Sequence, residues 1–282
     1  MLKIGFFGAG KMAQALAKGF LTAGLVKGEN ITASCAPQDT QCVKAFEVSG
    51  ARVVRGNSGF GSTVTFDNRS VADNADVLLL AVKPTVVKTV LDQIRPNFSA
   101  SRHLLLSVAM GVTVNQLEKL LPDGSRVMRV MPNTPALVQC GASVYVPGKQ
   151  ATDEDEKLTA KLLSSVGTAE RVQEYLMDPI TALSGSGPAY VYVIIEALAD
   201  GAVRMGMPRD MAYRLASQTV LGAGTMVRDT QEHPGKLKDD VTSPAGSTAA
   251  GLCALENGGL RYTIIDALEK ATEKCKETSK AL

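Results

Sequence analysis

Gly8, Gly10 and Ala13 stand in a Gly-x-Gly-x-x-Ala spacing, directly after the apolar run Leu2–Phe7 and directly before a helical pattern. That arrangement can hold a pyrophosphate. Gly8 allows a tight turn, Gly10 lets the backbone approach the phosphates, and small Ala13 lets helix and sheet pack closely. The helix N-terminus behind the turn aims unpaired N–H groups at the anion. Plain Gly-rich turns reach the same spacing by chance, so the strand–turn–helix context is what favours a dinucleotide. A second polar concentration runs from Asp239 through Thr242, Ser243, Gly246 and Ser247 to Thr248, just before another helical pattern. Its hydroxyls and the N–H groups of the helix start suit a carboxylate, although an ordinary capped helix start would look the same. Ser243–Thr248 contain no base and no charged nucleophile. That fits hydride chemistry, in which a cofactor supplies the reactive atom and the protein positions the substrate.

The elements that must carry these loops can be read from the pattern. The first half alternates strands and helices: strand Leu2–Phe7, helix Met12–Ala23 stopped by Gly24, strand Ile31–Ser34, helix Gln38–Ser49 and strand Ala51–Val54. Asp76–Ala81 and Leu104–Val108 are continuous apolar runs, as in parallel strands covered on both faces. Val127–Met131 and Ala142–Val146 read as later strands, and polar, glycine-bearing Gly56–Thr65 as a surface loop or insertion. The alternation predicts an α/β, Rossmann-like, doubly wound parallel sheet. Thr152–Ser165 is a helix with an acidic first turn, which suits the positive helix end. Beyond Asp178 no strand is convincing. Asp178-Pro179 reads as an N-cap and first-turn proline, opening a helical stretch to about Met205 that is interrupted at Ser184–Pro188. Helices Arg209–Val227, Ala249–Glu256 and Leu260–Lys280 follow. The expected domains are 1–165, dinucleotide-binding, and 166–282, all-helical, whose apolar faces call for a second copy of the chain.

Length and composition exclude several classes. At 282 residues the chain makes one large domain or two modest ones. Its net charge of +2, without any Lys/Arg block, argues against nucleic acid. Every apolar run is broken by Gly or a charge before it reaches membrane-spanning length. The chain begins in its first strand, which leaves no room for a leader. Five widely spaced cysteines and two histidines predict no metal site, no disulfide framework and a cytoplasmic location.

In a doubly wound sheet, ligands lie beyond the carboxyl ends of the strands. After the second strand comes Ser34-Cys35-Ala36-Pro37, with no carboxylate before Asp39. A carboxylate there would favour NAD, and a hydroxyl at Ser34 permits NADP(H); Ser34 is equally a turn residue. Lys83, before Pro84, either faces a cofactor or simply leaves its strand. Ala109-Met110-Gly111 either admits a nicotinamide ring or makes a tight turn.

The chain resembles the pyrroline-5-carboxylate reductases along essentially its whole length. The motifs that carry the resemblance are Phe6–Ala13, Ala81–Pro84, Met131-Pro132-Asn133-Thr134-Pro135, Leu183-Ser184-Gly185-Ser186-Gly187-Pro188-Ala189-Tyr190 and Asp240–Thr248. The resemblance implies reduction of 1-pyrroline-5-carboxylate to L-proline by NADPH, or by NADH, in an interleaved homodimer able to form a larger ring. It implies that Phe7, Gly8, Ala9, Gly10, Lys11, Met12, Ala81, Val82, Lys83 and Pro84 bind the cofactor. Ser34 and Asn68 would lie near its 2′-phosphate, and Val108, Ala109 and Met110 near the nicotinamide. Gln231, Ser243, Gly246, Ser247 and Thr248 would meet the substrate at the subunit interface, with Thr248 hydrogen-bonded to the ring nitrogen. Two positions depart from the family pattern: Asp240, where many members carry Asn, and Gln231, where some carry Glu. Competing readings are a reductase of the hydroxyacid dehydrogenase type, whose helical-domain lysine has no counterpart motif here, and a non-catalytic NADP(H)-binding protein.

Overall fold

The computed structural model describes residues 2–36, 46, 64–65 and 67–281. The strands are β1 (Ile4–Phe7), β2 (Ile31–Ser34), β3 (Val64–Thr65), β4 (Val77–Leu80), β5 (Leu104–Ser107), β6 (Arg126–Met131), β7 (Gly141–Pro147) and β8 (Gly167–Arg171). Among the described residues they form one sheet in the order β3-β2-β1-β4-β5-β6-β7-β8. The first six positions of that order are parallel, as the sequence predicts. The all-parallel expectation fails at β7, which runs antiparallel to β6. Only residues 132–140 join the two, too few for a crossover. The return to β8 passes through a helix and is parallel.

Alternation along each strand builds two cores. Phe6, Val77, Leu79, Leu104 and Leu106 enter one cluster, and Phe7, Leu78, Leu80 and Leu105 enter the other. Helices α1 (Lys11–Thr22), α2 (Asn68–Asn74), α3 (Pro84–Ile94), α4 (Val114–Leu120) and α5 (Asp153–Ser164) cover them. Buried Ala13, Leu16, Ala17 and Phe20 of α1 repeat at helical spacing and join the first cluster. Val87, Val90, Leu91 and Ile94 of α3 join the second. The sheet is therefore covered on both faces, the doubly wound arrangement. Of the predicted helix Gln38–Ser49 only Phe46 is described; it is helical and stacks edge-on against Phe6. The predicted strand Ala51–Val54 lies outside the described residues. Val64–Thr65, read as loop, pairs instead with the end of β2.

The chain forms two compact units, Met1–Ser186 with Ala271–Leu282, and Gly187–Lys270. The first unit thus extends past the expected boundary at 165, because β8 hydrogen-bonds to β7. Asp178-Pro179 does not start a helix. A 3-10 turn at Glu174–Leu176 leads into α6 (Met177–Ile180), and Asp178 lies inside it, its carboxylate directed to Arg129. The expected interruption at Ser184–Pro188 is a π turn, Thr181–Gly185, after which α7 (Gly187–Arg204) continues. The second unit adds α8 (Arg209–Thr230), α9 (Pro234–Asp240), α10 (Ser247–Asn257) and the first half of α11 (Leu260–Ala281). Its core is small, centred on Ala199, Ala212 and Ala216.

His103 marks the first unit's response to acid. The side chain is buried beside Phe98, and its Nδ1 accepts from the Ser99 N–H. Burial first, then the neighbouring Arg102, holds the imidazole below its ordinary pKa of 6.5, against smaller upward pulls from Asp76 and Asp73. As pH falls through 6.5 the unfolded chain takes up a proton that the folded chain refuses, so the stability present above that value is lost. Thermal unfolding followed from about pH 7.5 to about pH 5.5 should show Tm falling, and less steeply in His103→Gln.

Candidate active site

The strand order reverses between β1 and β4, and the crevice beyond their carboxyl ends is where such folds bind nucleotides. Both ends are shaped for it. Gly8 follows β1 at φ +97°, and a Cβ there would lie 2.6 Å from the Ala81 carbonyl oxygen at the end of β4. Gly10 is the N-cap of α1, with no side-chain cap, and the space where its Cβ would project is open. The first N–H groups of α1 therefore face an unfilled cradle, and a pyrophosphate fits it. Gly8→Ala should lower stability by about 1–3 kcal/mol through the strained backbone. It should also weaken NADPH binding, as fluorescence titration beside urea unfolding would measure.

A cavity of about 290 Å³ continues from this turn. Met12, Ala81, Val82, Val108 and Met110, all among the cofactor candidates, line it. Met131, Pro132, Asn133 and Thr134, with Thr181, Gly185 and Ser186, form the rest of its wall. All of the latter except Thr181 fall in the motifs Met131–Pro135 and Leu183–Tyr190, to which no role was given; those motifs were the signal, and for Thr181 there was none. Met110 is backed by the buried Cys275 of α11, with its Sγ 4.0 Å from the Met110 Sδ. Burial first, then Asp178, pushes the Cys275 thiol up, so it stays protonated and packs as a small apolar group.

The other cofactor candidates fall as follows. Phe7 buries its ring in the core and offers only backbone, its carbonyl accepting from the Ala81 N–H. Ala9 is buried and its carbonyl accepts from the Gln14 side chain. Lys11 is exposed at the start of α1. Lys83 is exposed as the N-cap of α3 and Pro84 is its first residue. Ala109 is buried, with its N–H on the Ser107 hydroxyl. Ser34 and Asn68, far apart in sequence, are brought together at the end of β2, where the Ser34 Oγ donates to the Asn68 Oδ1 at 2.5 Å. Asn68 also donates to Gln93, and Arg69, the next residue, donates to the Gln93 carbonyl.

Within the second unit, α9 ends at Asp240, and Thr242–Gly246 lead into α10. The short helix α9 was not expected, and it takes Asp239 and Asp240 out of the loop; Asp240 pairs with Lys236. Ala245 sits at φ +56°. Gly246 is the N-cap of α10 and makes no side-chain cap; a Cβ on it would fall 2.3 Å from the Ser243 Oγ. A side chain at position 246 would force the Ser243 hydroxyl to turn away from the helix start. Thr248 is the second residue of α10, so helix capping does not account for it. Exposed Ser243 and Ser247, half-buried Thr248 and the first-turn N–H groups share one helix end, the polar grouping that the sequence pattern offered to a carboxylate. Gln231 is the C-cap of α8 at φ +58°, and its side-chain amide donates to the Arg228 carbonyl.

Known proteins match both halves. Residues 3–111 match the family model "NADP oxidoreductase coenzyme F420-dependent", and residues 174–278 match "Pyrroline-5-carboxylate reductase dimerisation". The pyrroline-5-carboxylate reductase of Methanosarcina acetivorans is 46% identical over 99% of this chain and 98% of its own. That of Glycine max is 45% identical over 98% and 96%. The crystal structure of Plasmodium falciparum pyrroline carboxylate reductase with NADP bound superposes with a TM-score of 0.84 at 33% identity, covering 99% of this chain and 98% of that one. With a phosphate turn ahead of a dimerisation domain, and this degree of identity from end to end, the chain belongs to the pyrroline-5-carboxylate reductase family.

Proposed function

We propose that the chain reduces 1-pyrroline-5-carboxylate to L-proline at the expense of NADPH or NADH, the final step of proline biosynthesis. The observation that carries this reading is full-length similarity to proteins of that name, 46% identity over 278 residues in one of them. When bound, the reduced nicotinamide supplies the hydride. The protein's own groups hold, align and shield.

Gly8-Ala9-Gly10-Lys11-Met12 take the pyrophosphate through backbone N–H groups, and the open cradle at Gly10 supports that role. Ala81, Val82, Lys83 and Pro84 border it. Ser34 and Asn68, hydrogen-bonded to each other, take the 2′-phosphate, and the lack of a carboxylate among the described residues at the end of β2 permits NADPH. Val108, Ala109 and Met110 seat the nicotinamide. Ser243, Gly246 and Ser247 hold the substrate carboxylate, with Gln231 a further contact. Thr248 orients the ring nitrogen and relays a proton to it from water. A threonine hydroxyl is too weak an acid to act alone.

The dimerisation match makes the working form a homodimer, and we extend this to a ring of dimers in the cytoplasm, bound to neither nucleic acid nor membrane. The helical run Glu174–Arg204 is long and apolar enough to cross a membrane. It lies wholly inside the dimerisation match, so a second copy covers it in this reading. The deciding experiment is NADPH oxidation followed by absorbance with pyrroline-5-carboxylate added, and product analysis for proline. Tight NADPH binding without turnover would make the chain a cofactor-binding protein only.

A further inference from the structure

Met131–Pro135 and Leu183–Pro188 are separated by about fifty residues of sequence, yet one side chain ties them together. Asn133 is buried in the cavity wall. Its Oδ1 accepts from the Ala142 N–H at 2.9 Å, and its Nδ2 donates to the Ser184 carbonyl at 3.0 Å. Both ends of the carboxamide are thus engaged, and reversing it would set donor against donor and acceptor against acceptor. Ser184 lies within the π turn, closed by the Ser186 N–H donating to the Thr181 carbonyl at 2.9 Å. π turns inside helices recur at functional sites. Here the turn contributes Thr181, Gly185 and Ser186 to the cavity that Met12, Val108 and Met110 also line.

We infer that Asn133 is a positioning residue for the nicotinamide. It fixes the π turn so that Gly185 and Ser186 close the wall of the nicotinamide seat. This rests on the proposed reading that the nicotinamide enters this cavity. Asn133→Asp keeps an acceptor for the Ala142 N–H and replaces the donor to Ser184 by a second acceptor, which repels that carbonyl. The effect is local to the nicotinamide end, because Asn133's hydrogen bonds go to Ala142 and Ser184, and neither the glycines Gly8 and Gly10 nor the Ser34–Asn68 pair takes part in them.

The test compares two probes by calorimetry, NADPH and 2′-phospho-ADP-ribose, which lacks only the nicotinamide. Asn133→Asp should weaken NADPH about tenfold, the scale of one buried hydrogen bond turned repulsive, and leave the fragment's affinity unchanged. Gly185→Ala is the second variant and decides the matter should the first not fold. Its Cβ would meet the Met131 Sδ and the Thr181 Cγ2 at 3.5 Å, ordinary contact, so the fold tolerates it while the wall thickens. It should show the same selective loss. Equal weakening of both probes, or of neither, would overturn the role. Failure of the unaltered protein to bind either probe would remove the nucleotide reading itself, and the inference with it.

Discussion

Thr248→Ala leaves NADPH affinity intact and removes most turnover, with kcat falling ~10²–10⁴-fold, the range typical of a lost proton-handling group. The reason is positional. Thr248 stands one residue inside α10 behind an N-cap glycine, so removing its hydroxyl costs the helix no cap. Its side chain is half-buried at the helix end where Ser243 and Ser247 gather. Thr248→Ser restores the hydroxyl and should recover most of the rate. Steady-state kinetics beside NADPH titration separates the outcomes. A wild-type kcat in the alanine variant would take Thr248 out of the mechanism, and a matching loss of NADPH affinity would point to misfolding.

Paired carboxylates at Val193 and Ile265 break the dimer and, with it, the activity. Each side chain is 64% exposed in the single chain, on α7 and α11 respectively, among other uncovered apolar residues such as Tyr192 and Tyr262. The second unit's own core is little more than three alanines and their neighbours, too small to hold four long helices by itself. In the proposed dimer these uncovered faces are what a second copy buries. Burying an unpaired charge costs about 3–5 kcal/mol, so each substitution weakens association by roughly 10²–10⁴-fold. Light scattering on Val193→Glu/Ile265→Glu should give the monomer mass with turnover lost in proportion. An unshifted mass would place the interface on other residues.

The central sheet was legible because its parallel strands are buried on both faces. Val77–Leu80 and Leu104–Ser107 announce themselves as apolar runs, and β2 lies where its pattern placed it. The edges were not. β3, two residues long, is too short to write a period, and β8, Gly-Thr-Ala-Glu-Arg, is mostly uncovered and has no core face to write one. The polar seven-residue α9 lacks an apolar stripe for the same reason. At the site, the glycine turn was legible because backbone shape demands particular residues. Asn133 was visible as part of a motif, but its task depends on Ser184 and Ala142, which only the folded chain brings to it.

Cys275 lies beneath Met110, and Thr278 and Ser279 crowd the Gly111 turn, so the segment from Ala271 onward completes the first unit. That unit is discontinuous, opened by the N-terminal strand and closed by the C-terminal helix. A ribosome must pass Ser279 before the floor under Met110 exists. Nascent chains halted anywhere before Ala271 therefore carry the phosphate turn without its neighbour's backing, and synthesis itself sets the order in which this reductase can become competent.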